Sequence, residues 1–368
     1  MVPDAEAVLA VAHRAGLDVA GVAAAEPFAT TRADLVARKE EGLSAGMHFT
    51  YSDPDAATDP ARSLPGARAL VVGARGYRRG APAPPGPGPW GRVASYSWAD
   101  EYHPLRAALE KVAEYLRSCG FSALVLVDDN RLVDREAARR AGLGWYGKNS
   151  VLLLPGRGSY FLLGSVVTDA PLSPTSEAPG DGCGSCSRCM TGCPTGALVR
   201  PGVVDANRCL AWVLQARGSF PRHLRRALGD RVYGCDECQD VCPFNRRRAR
   251  AQPPVPPRPD DDAWVDLLWL LNASDGELID RFGRWYIPRR QPRYVRRNAL
   301  VALGNVADGD CDEVVAALRR CLTDADPLIR SHAVWAASCL GRGDLLRAMG
   351  GEDDDTVLEE LEAAGART

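Results

Sequence analysis

The amino-acid sequence predicts a multidomain α+β chain: an α/β layer domain first, a compact cysteine-built module after it, and all-α helical repeats at the C-terminal end. Three observations carry that class. Apolar runs at 69–72 and 123–127 flank an amphipathic stretch at 104–119, and continuous apolar runs mark strands buried on both faces. Eight cysteines fall between 183 and 242. Two apolar helical patterns, at 296–304 and 329–337, resemble each other about one helical repeat apart. A chain of 368 residues has room for two or three cores. Its net charge of -2 argues against a chain-wide electrostatic grip on nucleic acid or membrane, leaving local patches.

The opening Met-Val-Pro-Asp-Ala-Glu lacks a basic region followed by an apolar core, and no apolar run approaches the roughly 18 residues of a membrane span. A cytoplasmic chain without membrane contact is expected. Ala5, Val8, Leu9, Val11 and Ala12 share a helical face, with Gly16 as a stop. A strand at 69–72 precedes a Pro/Gly-dense loop at 79–90. Tyr96, Trp98, Tyr102 and His103 then cluster, as the lining of a flat cofactor or as a core edge. Pro104 and Gly120 bracket a helix.

The strand at 123–127 runs into Asp128 and Asp129. Ligands bind at such strand ends in open α/β sheets. Asp134-Arg135-Glu136 follows, and then Gly142, Gly144 and Gly147. Three glycines in six residues let backbone approach a ligand, or make a tight helix-to-strand turn before a hairpin from Val151 to Val167. Spacing alone favours the turn.

From Cys183 to Pro194 the chain spells C-x2-C-x2-C-x3-C-P, and from Cys235 to Pro243 C-x2-C-x3-C-P. This is the ligand signature of bacterial-type 4Fe-4S clusters, in which the cysteine before proline crosses to the other cluster. With Cys209 as the eighth thiolate, Cys183, Cys186, Cys189 and Cys242 fall to a first cluster, and Cys193, Cys209, Cys235 and Cys238 to a second. Zinc sites use C-x2-C pairs with longer separations, and the cytosol disfavours disulfides. Cys119, Cys311, Cys321 and Cys339 read as buried free thiols. A linker from Ser173 to Gly184 enters the module. Its basic run, Arg217 to Arg231 with Arg246 to Arg248, either binds phosphate or offsets the clusters' negative charge.

A Pro-rich linker at 251–262 leads to an apolar helix expected over Trp264–Leu271. The arginine-headed helices beyond it look like HEAT-like repeats, too few for a free solenoid and so expected to dock on the preceding module. The expected domains are 1–172, 173–250 and 251–368.

Val127-Asp128, the stretch from Ala141 to Asn149, the eight cysteines, Val232 to Cys238, and Arg297 to Asn305, in that order, resemble the epoxyqueuosine reductase family over nearly the whole chain. The resemblance implies an oxidoreductase that removes the epoxide oxygen of epoxyqueuosine in a tRNA anticodon loop. It implies cobalamin held by domain 1–172, two 4Fe-4S clusters in a ferredoxin-like module, and repeats that help hold the tRNA. It further implies an external donor of flavodoxin or ferredoxin type and a monomer. Carried over by position, the proton donor is Asp128, and the cobalamin contacts are Asp128, Tyr96, Lys148, Asn149, Leu152 and Leu163. Charge adds Arg222, Arg225, Arg226, Arg296 and Arg297 as tRNA contacts. After Cys209, where relatives usually show Tyr-x-Thr-Ile-Glu, this chain has Trp212-Val213-Leu214-Gln215-Ala216, and Ala56-Ala57-Thr58 replace the usual basic residue before Asp59-Pro60.

Turning an epoxide into an alkene takes two electrons and two protons. A general acid must keep its proton near neutral pH, so Asp128 should be desolvated, or beside a charged Asp129, with its pKa raised. The rival readings are a dehalogenase-like cobalamin reductase of small molecules and an electron-transfer iron-sulfur protein.

Overall fold

A computed structural model describes residues 3–252 and 254–365. The chain divides into two compact units, one drawn from 1–80, 100–207 and 237–256, the other from 81–99, 208–236 and 257–368. The sequence-based borders follow the chain, whereas these units interleave it.

The first unit is built on a four-stranded sheet in the order Val19–Ala24, Ala69–Gly76, Phe161–Thr168, Ala123–Leu126, antiparallel throughout. Leu70, Val72 and Ala74 face a core shared with Ala137 and Ala138 of helix Asp134–Arg140 and with Ala141, which follows it. Helix Tyr102–Ser118 packs against the sheet, and a Cβ on Gly164 would stand 2.7 Å from its Leu109. Both faces are thus covered, which is why the central strands read as unbroken apolar runs rather than alternating ones.

Helix Ala5–Arg14 and helix Tyr102–Ser118 lie within a few residues of their expected bounds. The expected hairpin from Val151 to Val167 does not form. Leu152–Leu153 pairs with Trp145–Tyr146, while Phe161–Thr168 joins the main sheet, so one apolar stretch serves two sheets. The glycines before it act in packing: a Cβ on Gly144 would meet the Leu153 carbonyl at 2.3 Å, as the turn reading requires.

In the second unit Trp90–Val93 is the centre of a three-stranded sheet, parallel to Arg231–Tyr233 and antiparallel to Trp264–Asp266. The helix expected from Trp264 begins only at Leu267, because Asp266 caps it, its carboxylate accepting from Leu268 and Trp269 N–H. Helices Arg293–Val306 and Pro327–Cys339 are the two similar repeats, and they pack on one another. A column of Tyr233, Trp285 and Phe282, with ring centroids 4.5 Å and 4.0 Å apart, joins sheet to helices. Among the described residues no helix is long and apolar enough to cross a membrane.

Candidate functional site

Strand Ala123–Leu126 delivers Val127 and Asp128 at its end, and Arg106 reaches from helix Tyr102–Ser118 to the Val127 carbonyl at 2.9 Å. Asp128 turns the chain with φ 51°, a left-handed conformation that Asp tolerates better than most residues. The residue is exposed, yet its pKa is raised, chiefly by desolvation from the groups around its carboxyl. Arg106 opposes the rise and the charge of Asp129 adds to it. Asp129 is held low by Arg131, whose Nε and Nη2 donate at 2.9 and 2.7 Å. Of two adjacent carboxylates, one is shifted down and the other up, the direction a general acid requires. Asp134, first in its helix, lies close to Asp128, and burial, then the neighbouring Asp128 carboxylate, pushes its pKa well up.

The other expected cofactor contacts divide. Lys148 Nζ donates to the Gly184 carbonyl at 2.6 Å and Asn149 Nδ2 to that of Cys238 at 3.4 Å, so both tie their loop to cysteine-bearing segments. Leu163 is half-buried. Leu152 is buried in the core with Ala141 and Leu143, so the side-chain cofactor contact expected of it does not stand. Tyr96, in the second unit, is half-buried, and its hydroxyl accepts from Gln215 at 3.2 Å.

Cys183, Cys189 and Cys242 come together: the Cys189 thiol is pushed up by burial and then by the charges of Cys183 and Cys242. A thiol from the later run stands with two from the earlier one, as crossed ligation of a 4Fe-4S cluster demands, and these residues fit the first cluster. Cys193 is lowered: burial is outweighed by hydrogen bonds from Thr195 and from the backbone at Ala197 and Leu198. Cys209 occupies the position just before helix Leu210–Val213, with no side-chain capping bond to it. Of the four remaining cysteines only Cys321 is fully buried; Cys119, Cys311 and Cys339 are half-exposed.

The arginines require correction. Arg297 is 0% exposed, and its guanidinium donates to the carbonyls of Val213, Leu214, Ala216 and Gly218 at 3.2, 3.2, 2.8 and 2.6 Å. Burial pushes its pKa down to about 9, leaving it charged at neutral pH. It cannot reach a phosphate. Arg225, 2% exposed, bonds Glu360 at 2.8 Å and the Phe220 carbonyl at 2.9 Å. Arg296 is tied to Asp275 at 2.5 Å and to the Ala273 carbonyl at 2.7 Å. Arg222, paired with Glu360, and Arg226 stay exposed. Arg297, with Asn298, which donates to the Leu214 and Val232 carbonyls, grips the segments following Cys209 and preceding Cys235.

Two family models match: "4Fe-4S double cluster binding domain" over 182–245 and "HEAT repeats" over 287–365. The epoxyqueuosine reductase of Bacillus cereus is 32% identical over 367 residues, covering 96% of this chain and 94% of that protein. The chain belongs to the epoxyqueuosine reductase family. The Lactococcus garvieae member is 36% identical over 295 residues, covering 78% of this chain and 83% of its own. Among solved structures, an epoxyqueuosine reductase with an epoxyqueuosine-modified tRNA-Tyr stem loop matches with a TM-score of 0.87 at 30% identity, covering 98% of each chain. A Bacillus subtilis epoxyqueuosine reductase, with its catalytic aspartate loop swung out of the active site, matches with a TM-score of 0.86 at 29% identity, covering 99% of this chain and 98% of that one.

In the segment after Cys209, Arg297 and Asn298 grip backbone carbonyls, while Val213 and Leu214 are buried in a core with Phe220 and Leu224. Sequence reading missed two groups. Asp134, the first residue of its helix, carried no signal of its contact with Asp128. Tyr286, Arg289 and Arg290 lie in no motif and were not singled out; Tyr286 is 54% exposed, and Arg289 and Arg290 have φ of 50° and 52°.

Proposed function

We propose that this protein reduces epoxyqueuosine to queuosine in the anticodon loop of tRNA, domain 1–172 holding cobalamin, 173–250 the two clusters and 251–368 helping to hold the tRNA. What supports it most is the raised carboxyl of Asp128 beside ionised Asp129, in a chain of this family. When bound, cobalamin supplies a reducible cobalt for two-electron chemistry, and the clusters deliver electrons one at a time. Asp128, Leu163 and the loop at Lys148 and Asn149, all in the first unit, are its proposed contacts. The work of the protein's own groups is local. Arg131 holds the Asp129 carboxyl low, and the charge of Asp129 helps raise the Asp128 carboxyl beside it. Asp128 then protonates the departing epoxide oxygen. An external donor of flavodoxin or ferredoxin type, a monomeric state and a cytoplasmic location complete the reading.

The cluster assignment predicts about eight iron atoms per chain in anaerobically prepared protein. Cys242→Ser should lower this to about four, while Cys321→Ser, away from the ligand set, should leave it unchanged. Equal losses in both variants would count against the assignment.

For tRNA, Arg222 and Arg226 stand as proposed contacts, and a second pair replaces the buried arginines. Between 281 and 307 lie seven arginines and no acid. Arg281 and Arg284 pair with Asp262, Arg293 with Asp326 and Arg296 with Asp275, and Arg297 is consumed by carbonyls. Arg290 spends one donor on the Gly283 carbonyl, and Arg289 has no hydrogen bond or ion pair among the described residues. With exposed Tyr286 nearby, they offer charge for phosphate and a ring for an unstacked base. Replacing Arg289 and Arg290 by Gln should weaken tRNA binding and flatten its log-log salt dependence by about 0.7 to 0.9 for each phosphate no longer neutralised. A weaker affinity with an unaltered salt slope would remove the pair from the interface.

A further inference from the structure

Trp145 opens the short pairing of Trp145–Tyr146 with Leu152–Leu153. The residue is 7% exposed, and its indole N–H, the one polar group of the side chain, is buried with no hydrogen-bond partner. Buried donors are rarely left so, and each one asks what accepts from it.

The surroundings narrow the answer. The ring packs with Leu153, Cys183 and Cys242. It meets Phe244 edge-on, with centroids 5.1 Å apart. On its other flank lies Gly182, where a Cβ would come within 2.8 Å of Cε2, the ring atom bonded to the N–H nitrogen. Gly182 precedes Cys183 and Phe244 follows Cys242 by two residues. The indole is therefore wedged between two ligand-bearing segments of the first cluster, at a point where any side chain on residue 182 would push it away. An indole N–H is a donor only, and a cluster ligated by these cysteines brings sulfide and thiolate, both acceptors.

We propose that the Trp145 N–H donates a hydrogen bond to a sulfur of the first cluster and thereby sets that cluster's reduction potential above the value it would have without it. Reduction adds negative charge to the sulfurs, a hydrogen bond to them strengthens as that charge grows, and the reduced form gains more than the oxidised one. The ring holds the donor in place through its packing, and the glycine at 182 lets it approach.

The inference rests on the cluster assignment, and the experiment separates the two. In wild-type protein about eight iron atoms per chain should be found; about four or none would remove the assignment itself. Trp145→Phe keeps an aromatic ring against Phe244 and deletes the donor. With iron content retained, spectroelectrochemistry should show one cluster's midpoint moved downward, about tenfold in the reduced-to-oxidised ratio at fixed potential, or about 59 mV for one electron, and the other cluster's unmoved. The reduced protein should also lose one proton coupling that exchanges in heavy water. An unchanged midpoint, or a retained coupling, would overturn the proposal. If Trp145→Phe loses iron, 5-fluorotryptophan decides: its more acidic N–H should move the same midpoint upward relative to unlabelled protein, and no movement would overturn the proposal equally.

Discussion

Asp128→Asn is expected to keep its iron and to bind cobalamin as the parent does, while turnover falls by about 100-fold to 10,000-fold, the range a general acid contributes. The amide matches the carboxyl in shape and can sit in the same left-handed turn, φ 51°, so a loss would report the proton rather than the fold. The pH dependence follows from the direction of the shift. The Asp128 carboxyl is raised by desolvation and by Asp129, so its acid form persists to higher pH than that of an ordinary aspartate, and activity should fall as pH climbs through the raised value. Asp129→Asn removes the one charged group that raises it, and the falling limb should move to lower pH. Full turnover in Asp128→Asn with saturating reductant would pass the proton to water or to another residue.

Arg297→Met is expected to damage the second unit rather than tRNA binding alone. The substitution strips donors from four carbonyls between Val213 and Gly218, and each buried acceptor left unpaired costs about 1–3 kcal/mol. Cys209 directly precedes the helix whose final carbonyls Arg297 grips, and Asn298 holds the Val232 carbonyl three residues before Cys235. Loss of thermal stability should therefore come with loss of iron, from about eight towards about four atoms per chain. An Arg297→Met protein that keeps its melting temperature and iron but shows a flatter salt dependence of tRNA binding would restore the phosphate contact that the burial denies.

Why some of this was legible in the sequence is a matter of which signals are local. The eight thiolates could be read because a cubane demands fixed spacings from one loop, and the apolar strands because both faces of the sheet are covered. Asp128 could be placed because it follows a buried strand directly. The fate of each arginine could not be read, because Arg296 and Arg297 are adjacent and chemically alike, and what separates them lies far along the chain: Asp275 for one, the carbonyls of 213–218 for the other. The stretch from Val151 to Val167 misled for a related reason. Alternation and apolarity specify a strand but not its partner, and here the two halves found different sheets. Trp264 was taken for helix because its apolar run continues into one; the cap at Asp266 divides them.

The most direct test is anaerobic incubation of epoxyqueuosine-bearing tRNA with protein loaded with both clusters and cobalamin, a low-potential reductant being supplied, followed by nucleoside mass spectrometry. Conversion to queuosine, with loss of one oxygen atom and far faster from the tRNA than from the free nucleoside, is the expected result, since binding energy from the rest of the tRNA positions the reacting ring. Epoxyqueuosine recovered unchanged from protein whose cofactor content has been verified would contradict the assignment and turn attention to a small-molecule substrate.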